Sequence, residues 1–170
     1  MNKNKTIWIV VATALYMILA VTAGAQVVDT NGTASVDVQP ALSISLVTSP
    51  NWGKVVKPAA GTARYKLDYA TGTVSLVSGD GYAFNDGQLG EYTVTGAPSA
   101  PISFSVAIGS FDASGVSVVA SHINGTTDTG TGTLDIGGSY DLKVGGILDI
   151  VSTATVQVQT ATVTVTIDYQ

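Results

Sequence analysis

Short runs in which apolar and hydroxyl-bearing side chains alternate constrain this chain more tightly than anything else in it. The clearest closes the sequence as ATVTVTIDYQ. It sets Ala161, Val163, Val165, Ile167 and Tyr169 on one face and Thr162, Thr164, Thr166 and Asp168 on the other. Successive side chains of a strand point to opposite sides, so a period of two predicts a strand with one buried face. Similar runs recur between glycine, asparagine and aspartate, and their β-branched residues suit a pleated, half-buried surface. Beyond residue 25 the chain is rich in valine, threonine, serine and glycine and has no methionine, and no segment reads as a helix.

The same reading places strands along the whole chain. Residues 34–46 carry Ala34, Val36, Val38, Leu42, Ile44 and Leu46 at even positions, interrupted by Pro40. Proline cannot donate to a ladder, so two strands or a kinked edge strand are expected there. A short strand follows at 52–57. Segments 64–69 and 73–77 predict a hairpin across Ala70-Thr71-Gly72, where glycine readily takes a positive φ. Further strands are expected at 82–84, 91–95, 102–108, 116–120, 132–136, 139–144 and 147–151, with 155–159 a further candidate before the last. The threonine- and glycine-rich 124–132 reads as a surface loop. LDIGG at 134–138, echoed by GGILDI at 145–150, reads as two consecutive strands cornered by glycine. About ten closely spaced strands predict an all-β, Ig-like or fimbrial-like antiparallel β-sandwich with polar turns at both ends.

The first residues bear on compartment. Lys3 and Lys5 precede an apolar run from 7 to 21, and Ala23-Gly24-Ala25 supplies small residues of the kind a signal peptidase accepts. Cleavage is expected between Ala25 and Gln26, making 1–25 a signal peptide. The run is about fifteen residues, short of the roughly 20 that span a bilayer as a helix, so a permanent anchor fits less well. Residues 26–40 then form an N-terminal strand or extension, and 41–170 the sandwich domain. The chain has no cysteine, so burial and backbone pairing must supply its stability without disulfides.

Charge and side-chain inventory narrow the chemistry. Beyond residue 25 stand all twelve acidic residues against five basic ones, Lys54, Lys57, Arg64, Lys66 and Lys143, a formal charge of −7. A phosphate-binding surface needs the opposite sign, so no nucleic-acid partner is expected. His122 is the only histidine, and no nucleophile-elbow glycine spacing supports a triad around it, so it reads as a loop histidine. Zinc lacks ligands. Calcium suits the oxygens of Asp80, Asn85, Asp86 and Glu91 in SGDGYAFNDGQLGE better, yet their spacing matches no calcium loop and acids with glycine also make ordinary turns. No catalytic residue, cofactor or metal is therefore assigned. Trp52 is the one tryptophan beyond the leader, a candidate for stacking on a glycan or for plugging the core. The Asn-Gly-Thr sequences at Asn31 and Asn124 read as turns.

Several stretches, taken in order, resemble a family. ALSISLVTSPNWGKV at 41–55, YTVTGAPSAPISFSV at 92–106, KVGGILDI at 143–150 and VTVTIDY at 163–169 are similar to successive motifs of the secreted bacterial family called domain of unknown function 4402 (DUF4402). Trp52 stands where that family's pattern has phenylalanine, and STATVQVQTA stands where it has a Gly-x-Tyr-x-Gly turn. The resemblance implies an exported β-sandwich similar in outline to fimbrial subunits, and it carries over no catalytic residue.

Together these features predict an exported, non-enzymatic structural or surface protein of the periplasm or cell surface, a fimbria-like subunit assembling by β-strand exchange. Its expected partner is itself or another exported β-sandwich, with no stable membrane insertion after cleavage. Val27 and Val28, then Val36 and Val38 beyond a polar Asp29-Thr30-Asn31-Gly32 hinge, mark the strand-donor segment. A row of unpaired amides and carbonyls invites such addition. The rival readings are a self-contained monomer whose two terminal strands pair with each other, a self-contained carbohydrate-binding or adhesin module and, more remotely, a small outer-membrane β-barrel.

Overall fold

A computed structural model of the chain describes residues 33–170. The predicted leader, its cleavage residues Ala23, Ala25 and Gln26, the donor residues Val27 and Val28, and Asn31 lie outside the described residues. Val38–Gln170 forms one compact unit. Among the described residues there is no helix. Twelve strands run β1 (Ser43–Thr48), β2 (Val55–Val56), β3 (Thr62–Leu67), β4 (Val74–Ser78), β5 (Tyr82–Ala83) and β6 (Gly90–Thr95), followed by β7 (Pro101–Ile108), β8 (Val116–Ile123), β9 (Thr126–Thr127), β10 (Thr129–Thr133), β11 (Ser139–Val151) and β12 (Val163–Tyr169).

Every ladder is antiparallel. The larger sheet is organised on β11, with β6 and then β1 beside its first half, β3 and then β4 beside its second, and β8 along its other edge. Val144 shows the arrangement, since it pairs with both Gly90 and Ile123. A three-stranded sheet ordered β10-β7-β12 covers the first half. Tyr92, Val94, Leu142 and Val144 of the one sheet and Ile102, Phe104 and Val106 of the other are buried in a shared cluster, the sandwich core. A second cluster gathers Ala63, Tyr65 and Leu67 of β3 with Leu148 and Ile150 of β11, together with Trp52 and Leu89. The result is an all-β, sandwich-like antiparallel fold. Its sheets stay open at β1, β4 and β12 and do not close, which removes the barrel reading.

The hairpin of β3 and β4 forms as the sequence implies, with Gly72 at φ +70°. Four expectations are corrected. Residues 33–42 form no strand, so the alternation before Pro40 builds no ladder. The expected loop 124–132 instead supplies β9 and most of β10. Its glycines do this: a Cβ on Gly130 would come within 2.4 Å of the Phe104 ring, and one on Gly132 within 2.6 Å of Tyr140. Aromatic rings fill the space that side chains would have taken, as they do over glycines elsewhere in sheets. The two strands expected at 139–144 and 147–151 are one, because β11 runs straight through Gly145-Gly146. At that point the Ala120 carbonyl approaches so closely that a Cβ on Gly146 would sit 2.6 Å from it. Finally, 155–159 is an irregular loop with Val156 and Val158 exposed.

Candidate functional site

Among the described residues, the edge of the last strand carries little of the protection that sheet edges usually have. β12 pairs with β7 from Val163 opposite Ile108 to Tyr169 opposite Ile102, without a bulge. Beyond the strand ends, Gly109 N–H donates to the Thr162 carbonyl and Gln170 N–H to the Pro101 carbonyl. Even-numbered residues of β12 therefore turn their backbone groups to β7. The N–H and C=O groups of Val163, Val165, Ile167 and Tyr169 point the other way, where no described strand meets them.

Natural edges are blunted by lysine, proline, bulges or shortness. β1 has a bulge between Leu46 and Thr48 and stands between Pro40 and Pro50. β10 has Asp128 beside it, whose N–H donates to the Ser121 carbonyl of β8. β12 has seven residues, no lysine and no proline.

The sandwich is also open on that side. Val163, Val165 and Ile167 of β12, with Leu42 and Ile44 from the β1 side, are only half-buried against the core cluster. Leu46 of β1 is 56% exposed. One hydroxyl anchors the corner of this seam: Tyr169 accepts from the Ala97 N–H at 2.7 Å and donates to the Pro40 carbonyl at 2.7 Å. The chain preceding β1 thus leaves from beside the C-terminal end of β12. Further back, Val36 and Val38 of the expected donor segment are 85% and 82% exposed.

The remaining sequence candidates are dispersed. Trp52 is 8% exposed, and its indole N–H donates to the Gly146 carbonyl at 3.4 Å. Its ring belongs to the second core and presents no face for a glycan, which corrects the stacking reading. Exposed aromatic surface lies elsewhere, in Tyr82 and Phe84, whose rings meet edge-to-face at 5.1 Å. No sequence signal marked them, because a two-residue strand is too short to show which way its side chains point.

His122 sits on β8, not in a loop, opposite Gly145 of β11 on one side and Thr127 of β9 on the other. Among the described residues no three His, Cys, Asp or Glu side chains converge on a metal position. Asp86 instead accepts the Lys54 N–H at 2.7 Å, and Glu91 stands in β6 opposite Lys143.

The basic residues at 54–66 do not form a patch either. Arg64 makes a two-pronged ion pair with Asp149, at 2.7 and 2.8 Å, that holds the Asp149 carboxyl below its usual range. Lys66 bonds Asp68, and Lys57 Nζ caps the Ser152 and Ala154 carbonyls. Asn124, at φ +45°, is a turn as expected, and its side chain fastens that turn to β11 through the Lys143 N–H and the Asp141 carbonyl.

Two hollows in the surface are shallow, one of about 330 Å³ over the hydroxyl face of β7, β10 and β12. Neither encloses titratable groups in a catalytic arrangement. Compared with known protein families, with curated proteins and with solved structures, the chain matches none.

Proposed function

We propose that this chain is an exported, non-enzymatic structural protein of the periplasm or cell surface that associates by β-strand addition, with itself or with another exported β-sandwich. The outer edge of β12, which no described strand covers, carries the reading. Four residues turn both backbone groups outward, and a strand supplied from outside is the partner that satisfies such a row. The leader-like start and the ordered resemblance to the DUF4402 family support export. The chain is expressed with its own leader and recovered from the exported fraction, then followed by size exclusion at rising concentration and by negative-stain microscopy. Growing oligomers or filaments are expected. A chain that keeps its leader inside the cell, or elutes as a monomer throughout, overturns the proposal.

A second reading, a glycan-binding module, is favoured by the exposed Tyr82–Phe84 pair, since aromatic rings offer flat apolar faces to sugars. Tyr82→Ala with Phe84→Ala should abolish retention on a glycan array while leaving the melting temperature unchanged. Absence of retention in the unaltered protein ends that reading.

A further inference from the structure

We infer that the open seam at β12 is the seat of residues 34–38 of a second copy, added as an antiparallel strand to the outer edge of β12. This rests on the strand-addition reading and names the two surfaces that meet.

Backbone phase comes first. The outward N–H and C=O groups belong to Val163, Val165, Ile167 and Tyr169, so a strand bonded there puts its own bonding residues directly opposite them. Residues directly opposite in an antiparallel pair share a face of the sheet. In ASVDV the apolar residues are Ala34, Val36 and Val38, spaced by two. Setting Val36 against Val165 brings Val38 to Val163 and Ala34 to Ile167. All three then face the half-buried wall of the sandwich between β12 and β1.

Charge agrees with that register. Asp37 falls opposite Thr164 and Asp168 opposite Thr33, so no like charges meet across the ladder. The polar residues Ser35 and Asp37 continue the outer hydroxyl face that Thr164 and Thr166 already form.

The occupant comes from another molecule. Within its own chain, Val36 and Val38 leave 85% and 82% of their surface exposed, so the apolar face of this stretch is not buried at home. Inserted in the seam, it exchanges that exposure for burial and gives the outer β12 backbone the partners that no described strand supplies. Donor and acceptor are different surfaces, so one copy can give and receive at once.

The chain has no cysteine, which permits a direct test. In the stated register Ser35 and Thr166 oppose each other as a non-hydrogen-bonded pair, with Cα atoms about 4.5 Å apart, within disulfide reach. Single variants Ser35→Cys and Thr166→Cys, made as full exported chains, are mixed and gently oxidised. The expected product is a disulfide joining one variant to the other, lost when Val36→Asp and Val38→Asp are added to the Ser35→Cys chain at unchanged melting temperature. Three results overturn the inference. If the unaltered protein oligomerises but the two introduced thiols never join, addition occurs elsewhere and the strand-addition reading survives. If a chain carrying both substitutions closes only within itself, the segment serves its own edge. If the unaltered protein stays monomeric, the inference and the reading beneath it fall together.

Discussion

The Tyr169 hydroxyl shows how much one residue can organise: it joins the end of β12, the turn after β6 and the chain entering β1. Alternation alone assigned that ring to the buried face, but the two bonds of its hydroxyl depend on backbone atoms distant in sequence. Carboxylates work more locally. Hydrogen bonding from Lys66 and then from the Ala70 N–H lowers Asp68 to about 2, and Arg64 lowers Asp149. Each has a folded value below its unfolded one, so the stability it contributes is complete above about pH 4 and drains away as acid approaches the folded value. Both groups are partly solvated, so solvent screens the effect. Urea midpoints measured from pH 6 down to pH 2 should therefore fall, and those of Asp68→Asn should fall less steeply over the acid end. Equal slopes would remove Asp68 from the account. Trp52 reads from sequence as a core plug more readily than as a binding face, but hydrophobicity does not say on which side of a sheet a ring finds its partners, so its burial had to be seen in the fold.

Elements whose residues alternate cleanly were legible. β3 with β4, β6, β7 and β12 lie within a residue or two of their expected spans, since β3, β6 and β7 bury one face against a core and β12 half-buries one. Glycine misled the reading twice. Gly145-Gly146 reads as a corner, yet it lets β11 pass close to its neighbours' carbonyls without turning, and the TGTGT of β10 reads as a loop although aromatic rings lie over its glycines. Gly130→Ala would push a methyl into the Phe104 ring and within 2.8 Å of Thr126 Oγ1, so it should cost about 1–3 kcal/mol as overpacking does. Gly137→Ala, whose methyl would meet only the Asp135 side chain, starting at 3.3 Å, serves as control. Denaturant unfolding of the two variants checks the difference, and equal midpoints would refute the role given to the ring. The opposite error occurs before Pro40, where alternation is present but no described strand pairs with it.

Across Val38–Gln170, one 13-residue strand belongs to both hydrophobic clusters. Melting either cluster strips partners from β11, so the two should unfold together. Trp52 reports the second cluster and far-ultraviolet dichroism reports all the strands. Their urea transitions should coincide, and Trp52→Ala, which removes a buried ring at a cost of about 3–5 kcal/mol, should shift the whole transition measured by dichroism. Two separated transitions would show that β11 does not couple the clusters. Alternation, β-branched composition and the scarcity of helix formers by themselves determined that this is an all-β chain with one-sided strands, because the period of two is a property of the local backbone. Which strands become neighbours, that β11 is continuous, that Trp52 is buried and that no described strand covers the outer edge of β12 were decided only in the tertiary structure. Pairing partners lie tens of residues apart, and an edge is defined by what fails to stand beside it.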